Sequence, residues 1–175
     1  TGLARTPRSD AEYQAFVTEA VTAHKHGHTA ADIAEFCTHI RYVTGSFDAD
    51  DSYQNLQASL MQFQESLGTC TNRLFYMAVP PQFYEQIFEK LHAHNMHEPC
   101  DTNHGWTRVL VEKPFGNDYH SARALDEKMS ALFKEEQIFR IDHYLAKEAV
   151  QNILSFRFAN PLLAPAWNRH HIKSI

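Results

Sequence analysis

The 175-residue chain is short of glycine, with six, and of cysteine, with three. Few glycines leave few places where backbone can fold closely around a ligand, which is unusual for an α/β protein that must do so. Cys37, Cys70 and Cys100 include no C-x-x-C pair. Their odd count suits reduced thiols in a reducing, cytoplasmic compartment better than a disulfide framework. No apolar run approaches the ~18 residues of a membrane span, which excludes a transmembrane helix. No basic segment leads into an apolar one, so no signal peptide is visible. Excess positive charge is missing too. The 16 Lys and Arg against 21 Asp and Glu give a net charge of −5, which argues against non-specific binding of nucleic acid. Neither an internal repeat nor a low-complexity linker breaks the chain.

What is present is apolar periodicity, enough for one globular domain or for one with part of a second. Ser9-x-x-Glu12 is a capping box, and Tyr13, Phe16, Val17, Ala20 and Val21 follow at helical spacing, so one helix face is expected to be buried. Gly27 stops that helix, and Thr29 can cap a second carrying Ile33, Phe36 and Cys37. Ile40–Thr44 reads as a strand, and Tyr53, Leu56, Leu60, Phe63 and Leu67 mark an amphipathic helix. Arg73–Val79 is a strand apolar on both faces, ended by Pro80 and Pro81, with a helix over Phe83–Leu91. A loop over Asp101–Gly105 leads to a strand at Arg108–Glu112. Asp118 caps a helix, Gln137–Ile141 is a strand, and Lys147–Phe158 is helical. Strand and helix alternate, which predicts βαβ units and a parallel sheet covered on both faces. The chain starts at Thr1 without Met and stops at Ile175 in what reads as a strand. Both ends look cut, although processing would also explain the first.

In a parallel sheet, ligands meet the C-terminal ends of the strands. Asp142-His143-Tyr144-Leu145-Ala146-Lys147 puts acid, imidazole, phenol and ammonium at one strand-to-helix junction. A helix N-terminus favours an anion, and Lys147 there opposes the helix dipole unless an anion neutralises it. Taken alone, these residues are equally a polar strand end with a satisfied Tyr or His. Lys113, on the stiff E-K-P-F-G turn, can meet a sugar hydroxyl or a cofactor amide, or can simply snorkel. Ala78, Val79, Pro80 and Pro81 present small surfaces on which a flat ring could lie, or form a plain turn. Arg5 could meet a phosphate bidentately or be merely solvated, and Arg8 is close by. The twelve histidines include His24, His26 and His28, which diverge on a helix, and His92, His94 and His97 around a helix end. Neither group has the carboxylate or cysteine company of a structural metal site.

Several separated stretches then resemble one family in consistent order. E-K-P-F-G (Glu112–Gly116) followed by R-I-D-H-Y-L-A-K-E (Arg140–Glu148) closely resembles glucose-6-phosphate dehydrogenase. So do N-R-L-F-Y-M-A-V-P-P (Asn72–Pro81), Q-N-I-L-S-F-R-F-A-N (Gln151–Asn160) and W-N-R (Trp167–Arg169). The resemblance implies an α/β fold: a partial doubly wound parallel, Rossmann-like sheet lacking its first βαβ unit, then the start of an α+β domain. Residues 1–141 would be the partial NADP-binding domain, and residues 142–175 the beginning of the substrate and dimerisation domain. It implies oxidation of glucose 6-phosphate at C1 with hydride transfer to NADP, in the oxidative pentose phosphate route.

By the resemblance, Arg5 looks like the arginine that meets the 2′-phosphate of NADP. Ala78, Pro80 and Tyr84 would border the cofactor, and Lys113 would sit between sugar and nicotinamide. His143, Tyr144 and Lys147 would hold the 6-phosphate, while Asp142 would orient a base histidine lying outside this chain. The family commonly forms dimers or tetramers. Its glycine-rich phosphate turn is absent here and should precede Thr1, so this chain alone is expected to be inactive. A non-catalytic sugar-phosphate-binding short form and a broader hexose-6-phosphate dehydrogenase are the alternatives. Ala146 stands where the family usually has glycine, and is expected to be comfortable in the first turn of the following helix.

Overall fold

A computed structural model of the chain describes residues 1–24, 27–100, 105–162 and 164–174. His26, most of the loop expected at Asp101–Gly105, and the strand expected at Ile175 fall outside the described residues. The chain forms two compact units, Thr1–Phe139 and Arg140–Ile175.

Strand β1 (Gly2–Ala4) leads through Ser9 into helix α1 (Asp10–Ala23), which is followed by α2 (Ala30–Thr38) and β2 (Tyr42–Thr44). Both helices start on reciprocal caps. The Ser9 amide donates to the Glu12 carboxylate at 2.7 Å, and the Thr29 amide to that of Asp32 at 2.8 Å. These bonds satisfy amides that helix starts otherwise leave open. β1 and β2 pair in parallel, with Gly2 opposite Tyr42 and Ala4 opposite Thr44. The face of α1 expected to be buried is only partly covered. Tyr13 packs on Tyr42, with ring centroids 4.6 Å apart, but Phe16 is 49% exposed. A two-stranded sheet and α2 supply too little surface to cover the whole stripe.

Helix α3 (Asp50–Leu67), strand β3 (Arg73–Met77), a 3-10 turn at Pro81–Phe83, α4 (Tyr84–Ala93), β4 (Thr107–Glu112), α5 (Tyr119–Leu132) and β5 (Ile138–Ile141) follow. The sheet order is β3-β4-β5, with β3 and β4 parallel from Arg73 opposite Thr107 to Met77 opposite Val111. The core joins Met77, Val109 and Val111 of this sheet to Tyr53 and Leu56 of α3, to Tyr84, Ile87, Phe88 and Leu91 of α4, and to Met129 of α5. Tyr84, Phe88 and Leu91 recur at helical spacing, so the inner face of α4 is buried on every turn. Each such side chain stabilises the fold by about 1.5–3 kcal/mol through burial.

Among the described residues of the first unit, β3 is covered on one face, not two. Leu74 and Tyr76, which were expected to be buried, are each 54% exposed. Register explains it, since successive side chains of β3 point to opposite faces and only Phe75 and Met77 meet the helices. Among the described residues no ladder joins β1 to β3. A cavity of about 600 Å³ is lined by Gly2, Leu3 and Ala4 of β1 and by Leu74, Tyr76 and Met77 of β3.

Cys70 and Cys100 form a disulfide, with Cα atoms 6.0 Å apart, which corrects the expectation of three reduced thiols. They lie thirty residues apart in sequence but just ahead of the adjacent strands β3 and β4, so the parallel ladder draws them together. Cys37 remains a buried thiol, 3.2 Å from the Thr18 hydroxyl.

In the second unit, α6 (Glu148–Ala159) carries no buried residue, and Ile153, Leu154, Phe156 and Phe158 are all exposed. Phe156 and Trp167 stand near each other at 6.4 Å between ring centroids, and Arg157 lies 5.9 Å from the Trp167 ring.

Candidate active site

Each strand end expected to carry chemistry can be followed to its supports. β4 ends on Glu112, whose amide donates to the Tyr84 hydroxyl at 3.2 Å. That hydroxyl also lies 3.2 Å from the Glu112 carbonyl and 3.4 Å from the Met77 carbonyl, the last residue of β3. Tyr84 is 1% exposed, and burial pushes its phenol above the usual range. The Tyr76 hydroxyl donates to the Glu112 carboxylate, and this bond raises the Tyr76 phenol in turn. Lys113 follows, exposed, and is joined to Pro114 by a cis peptide. The turn closes at Gly116, which has φ +126° and where a Cβ would lie 2.6 Å from the Ala122 nitrogen. Glycine is required there on both counts. The Ser121 hydroxyl then accepts from the amides of Asn117 and Asp118 at 3.0 Å each, and Asp118 caps α5.

At the end of β3, Ala78 and Pro80 are exposed and Val79 is half-buried. Pro81 opens the 3-10 turn, where its missing amide costs nothing. At the end of β1, Arg5 is exposed, and the Tyr42 hydroxyl holds the following turn through the Thr6 carbonyl at 2.6 Å. Arg8 lies 4.3 Å over the Phe16 ring, and its amide donates to the Thr44 hydroxyl at 3.2 Å.

The second unit holds the other candidates. The Asp142 carboxylate accepts the Tyr144 amide at 3.0 Å, and its carbonyl accepts the Leu145 amide at 3.1 Å. This local turn raises His143 and Tyr144 onto the surface, with Tyr144 70% exposed. Lys147 is the N-cap of α6, with its ammonium 4.6 Å from the Tyr144 ring. Ammonium, phenol and imidazole therefore share one exposed turn, a donor set suited to a phosphate dianion. Helix α6 starts one residue later than expected. Ala146 lies in the turn ahead of it, not in its first turn, and its φ is not positive. Alanine meets no left-handed penalty there.

Among the described residues, no group of three or more His, Cys, Asp and Glu is placed to hold a metal. His24 caps α1, with Nδ1 2.7 Å from the Ala20 carbonyl. His94 lies 3.0 Å from the Asp50 carboxylate, which Lys90 also meets at 2.9 Å. His92 and His97 stack at 4.1 Å. No described helix is long and apolar enough to cross a membrane. Sequence reasoning placed Tyr84 beside a cofactor, but it did not find the bonds from its hydroxyl to the two strand ends. The signal available was its position, three residues after the Pro-Pro break that follows β3.

Parallel strands joined by helices, with exposed cationic and small residues at their C-terminal ends, define an α/β protein of the parallel-sheet class. Within that class, the chain belongs to the family described as the NAD binding domain of glucose-6-phosphate dehydrogenase, whose model matches residues 1–152. It is 45% identical over 135 residues to glucose-6-phosphate 1-dehydrogenase 2 of Mycobacterium tuberculosis, covering 77% of this chain and 26% of that protein. The glucose-6-phosphate 1-dehydrogenase of Caenorhabditis elegans is also 45% identical, over 81% of this chain and 26% of its own length. The cytoplasmic isoform 6 of Arabidopsis thaliana is 39% identical over 99% of this chain and 34% of its own. A solved glucose-6-phosphate dehydrogenase in complex with its substrate glucose 6-phosphate superposes with a TM-score of 0.82 at 36% identity, over 97% of this chain and 34% of that one. The enzyme from Mycobacterium avium gives 0.73 at 29% identity, with the same coverage. The chain thus spans about a quarter to a third of the length of these relatives.

Proposed function

We propose that this chain is the coenzyme-side portion of an NADP-dependent glucose-6-phosphate dehydrogenase, acting in the oxidative pentose phosphate route. The observation that carries the reading is the pair of strand-end turns, Glu112–Gly116 and Asp142–Lys147. Each presents the residue types the chemistry needs, within a chain that follows the Arabidopsis relative over 99% of its length. Residues 1–141 serve the cofactor, and residues 142–175 open the domain that takes the sugar. As the Arabidopsis relative's name has it, the whole protein is a cytoplasmic enzyme; it works as a homodimer or homotetramer.

The donor set suits NADP. Arg5 supplies a guanidinium for the 2′-phosphate at the end of β1, and Ala78 and Pro80 supply low, exposed surface at the end of β3. When bound, NADP supplies the acceptor for a hydride from C1 of the sugar. Lys113 would sit between sugar and nicotinamide. His143, Tyr144 and Lys147 hold the 6-phosphate, and binding energy from that remote group fixes C1 for reaction. Asp142 orients a histidine outside these 175 residues, which takes the C1 hydroxyl proton as the C1–H bond breaks. The sugar leaves as the lactone. On this reading the chain by itself does not turn over.

Lys147→Ala in the whole protein tests the assignment. Removing a charge-assisted bond to phosphate should raise the Michaelis constant for glucose 6-phosphate by about 10- to 100-fold, with a smaller effect on kcat. An unchanged Michaelis constant removes Lys147 from the phosphate site.

A further inference from the structure

We infer that Tyr84 is a positioning residue for Lys113, acting through the Glu112 peptide. The inference rests on the function proposed above and deepens it. Many buried tyrosines only satisfy a hydroxyl, so what matters is which groups this one uses. The register between β3 and β4 ends at Met77 and Val111, so Glu112 lies one residue beyond the ladder with β3. At that point the Tyr84 hydroxyl takes over. It accepts the Glu112 amide at 3.2 Å and lies 3.2 Å from the Glu112 carbonyl. Its 3.4 Å approach to the Met77 carbonyl ties the same point to the end of β3.

A hydroxyl has one proton, so it donates to one carbonyl at a time while accepting from the amide. The phenol ring is itself fixed, being buried in the core near Phe88 with centroids 6.0 Å apart. Tyr76 holds the Glu112 carboxylate from the other side. The residue before Lys113 is therefore held by its backbone and by its side chain. Lys113 follows directly, so that peptide sets where its Cα lies. The Tyr84 hydroxyl bonds to the strand ends, and its part in the reaction is to set the Lys113 backbone.

The test is Tyr84→Phe in the whole protein, alone and combined with Lys113→Gln. Phenylalanine keeps the ring and the core packing, and removes only the strand-end bonds. With Lys113 present, kcat/KM should fall about 10-fold, because small misplacement of a substrate-facing group is costly in the transition state. With Gln at position 113, the same change should cost less than about 2-fold, because a residue that acts through Lys113 has little left to set once Lys113 is gone, whereas uncoupled effects simply add. Amide hydrogen exchange over residues 111–116 should rise in Tyr84→Phe. An equal loss in both backgrounds means a merely structural effect and overturns the inference. So does unchanged kcat/KM in an active protein, and the proposed function then stands. No turnover of glucose 6-phosphate and NADP by the unmodified whole protein would sink the proposed function and this inference with it.

Discussion

Two strand-end turns of similar composition are held in different ways. Glu112–Gly116 rests on a buried phenol, a carboxylate bonded by Tyr76, and a glycine whose φ of +126° no other residue adopts easily. Asp142–Lys147 rests on a two-residue Asp turn and on an ammonium lying over an exposed ring, ahead of a helix with no buried residue. The first turn inherits its rigidity from a core; the bonds named in the second join residues close in sequence.

The sharpest way to break this comparison is to damage the core beneath the first turn. Phe88 is fully buried between Tyr84 and Phe133. Phe88→Ala should cost about 3–5 kcal/mol, a large share of the stability of an ordinary domain. Urea titration followed by tyrosine fluorescence should show the loss. Amide exchange over 111–116 should rise with it, while exchange over 142–147 should not change. Equal loosening of both turns would show that the second borrows more support than its contacts account for.

The comparison also separates what the sequence made legible from what it did not. Helix starts were legible because their signals are local: Ser9 with Glu12, Thr29, and Asp118 all cap as expected. The strand-end turns were legible because a break follows each apolar run. One-sided burial of β3 was not, since alternation of exposure depends on what covers the second face, and a run of Leu, Phe, Tyr and Met reads the same either way. The Cys70–Cys100 pairing depends on two strands being neighbours in the sheet, and no spacing rule carries that. The bonds of Tyr84 were hidden for the same reason, because they join residues 28 positions apart.

A smaller effect concerns pH. His97 packs edge-on against Phe133 and stacks on His92, and its Nδ1 is buried with no hydrogen-bond partner. Burial, and then the neighbouring His92, hold its pKa below the ordinary 6.5, with Glu98 opposing. The Glu98 carboxylate lies 3.3 Å from its Nε2, and the Gln137 amide donates to the His97 carbonyl. Because the folded value is depressed, the unfolded chain takes up this proton first as pH falls. The stability His97 contributes is complete above about pH 6.5 and declines below it. His97→Gln should flatten the fall in thermal midpoint between pH 7 and pH 5 (on the order of the histidine range). An unaltered slope would mean that other groups carry the dependence.

The smallest expected change lies at the far end of the first turn. Ser121 accepts two amides, from Asn117 and Asp118, and its hydroxyl also meets the Asp118 carboxylate at 2.8 Å. Ser121→Ala leaves those amides to water, which can reach them because the residues are exposed. The cost should be about 1 kcal/mol, as for other helix-start caps. If rigidity at Lys113 comes from Tyr84 and the core, exchange should rise at 117–118 and stay unchanged at 112–113. A rise that spreads back to Glu112 would make the cap of α5, rather than the phenol of α4, the support on which the turn depends.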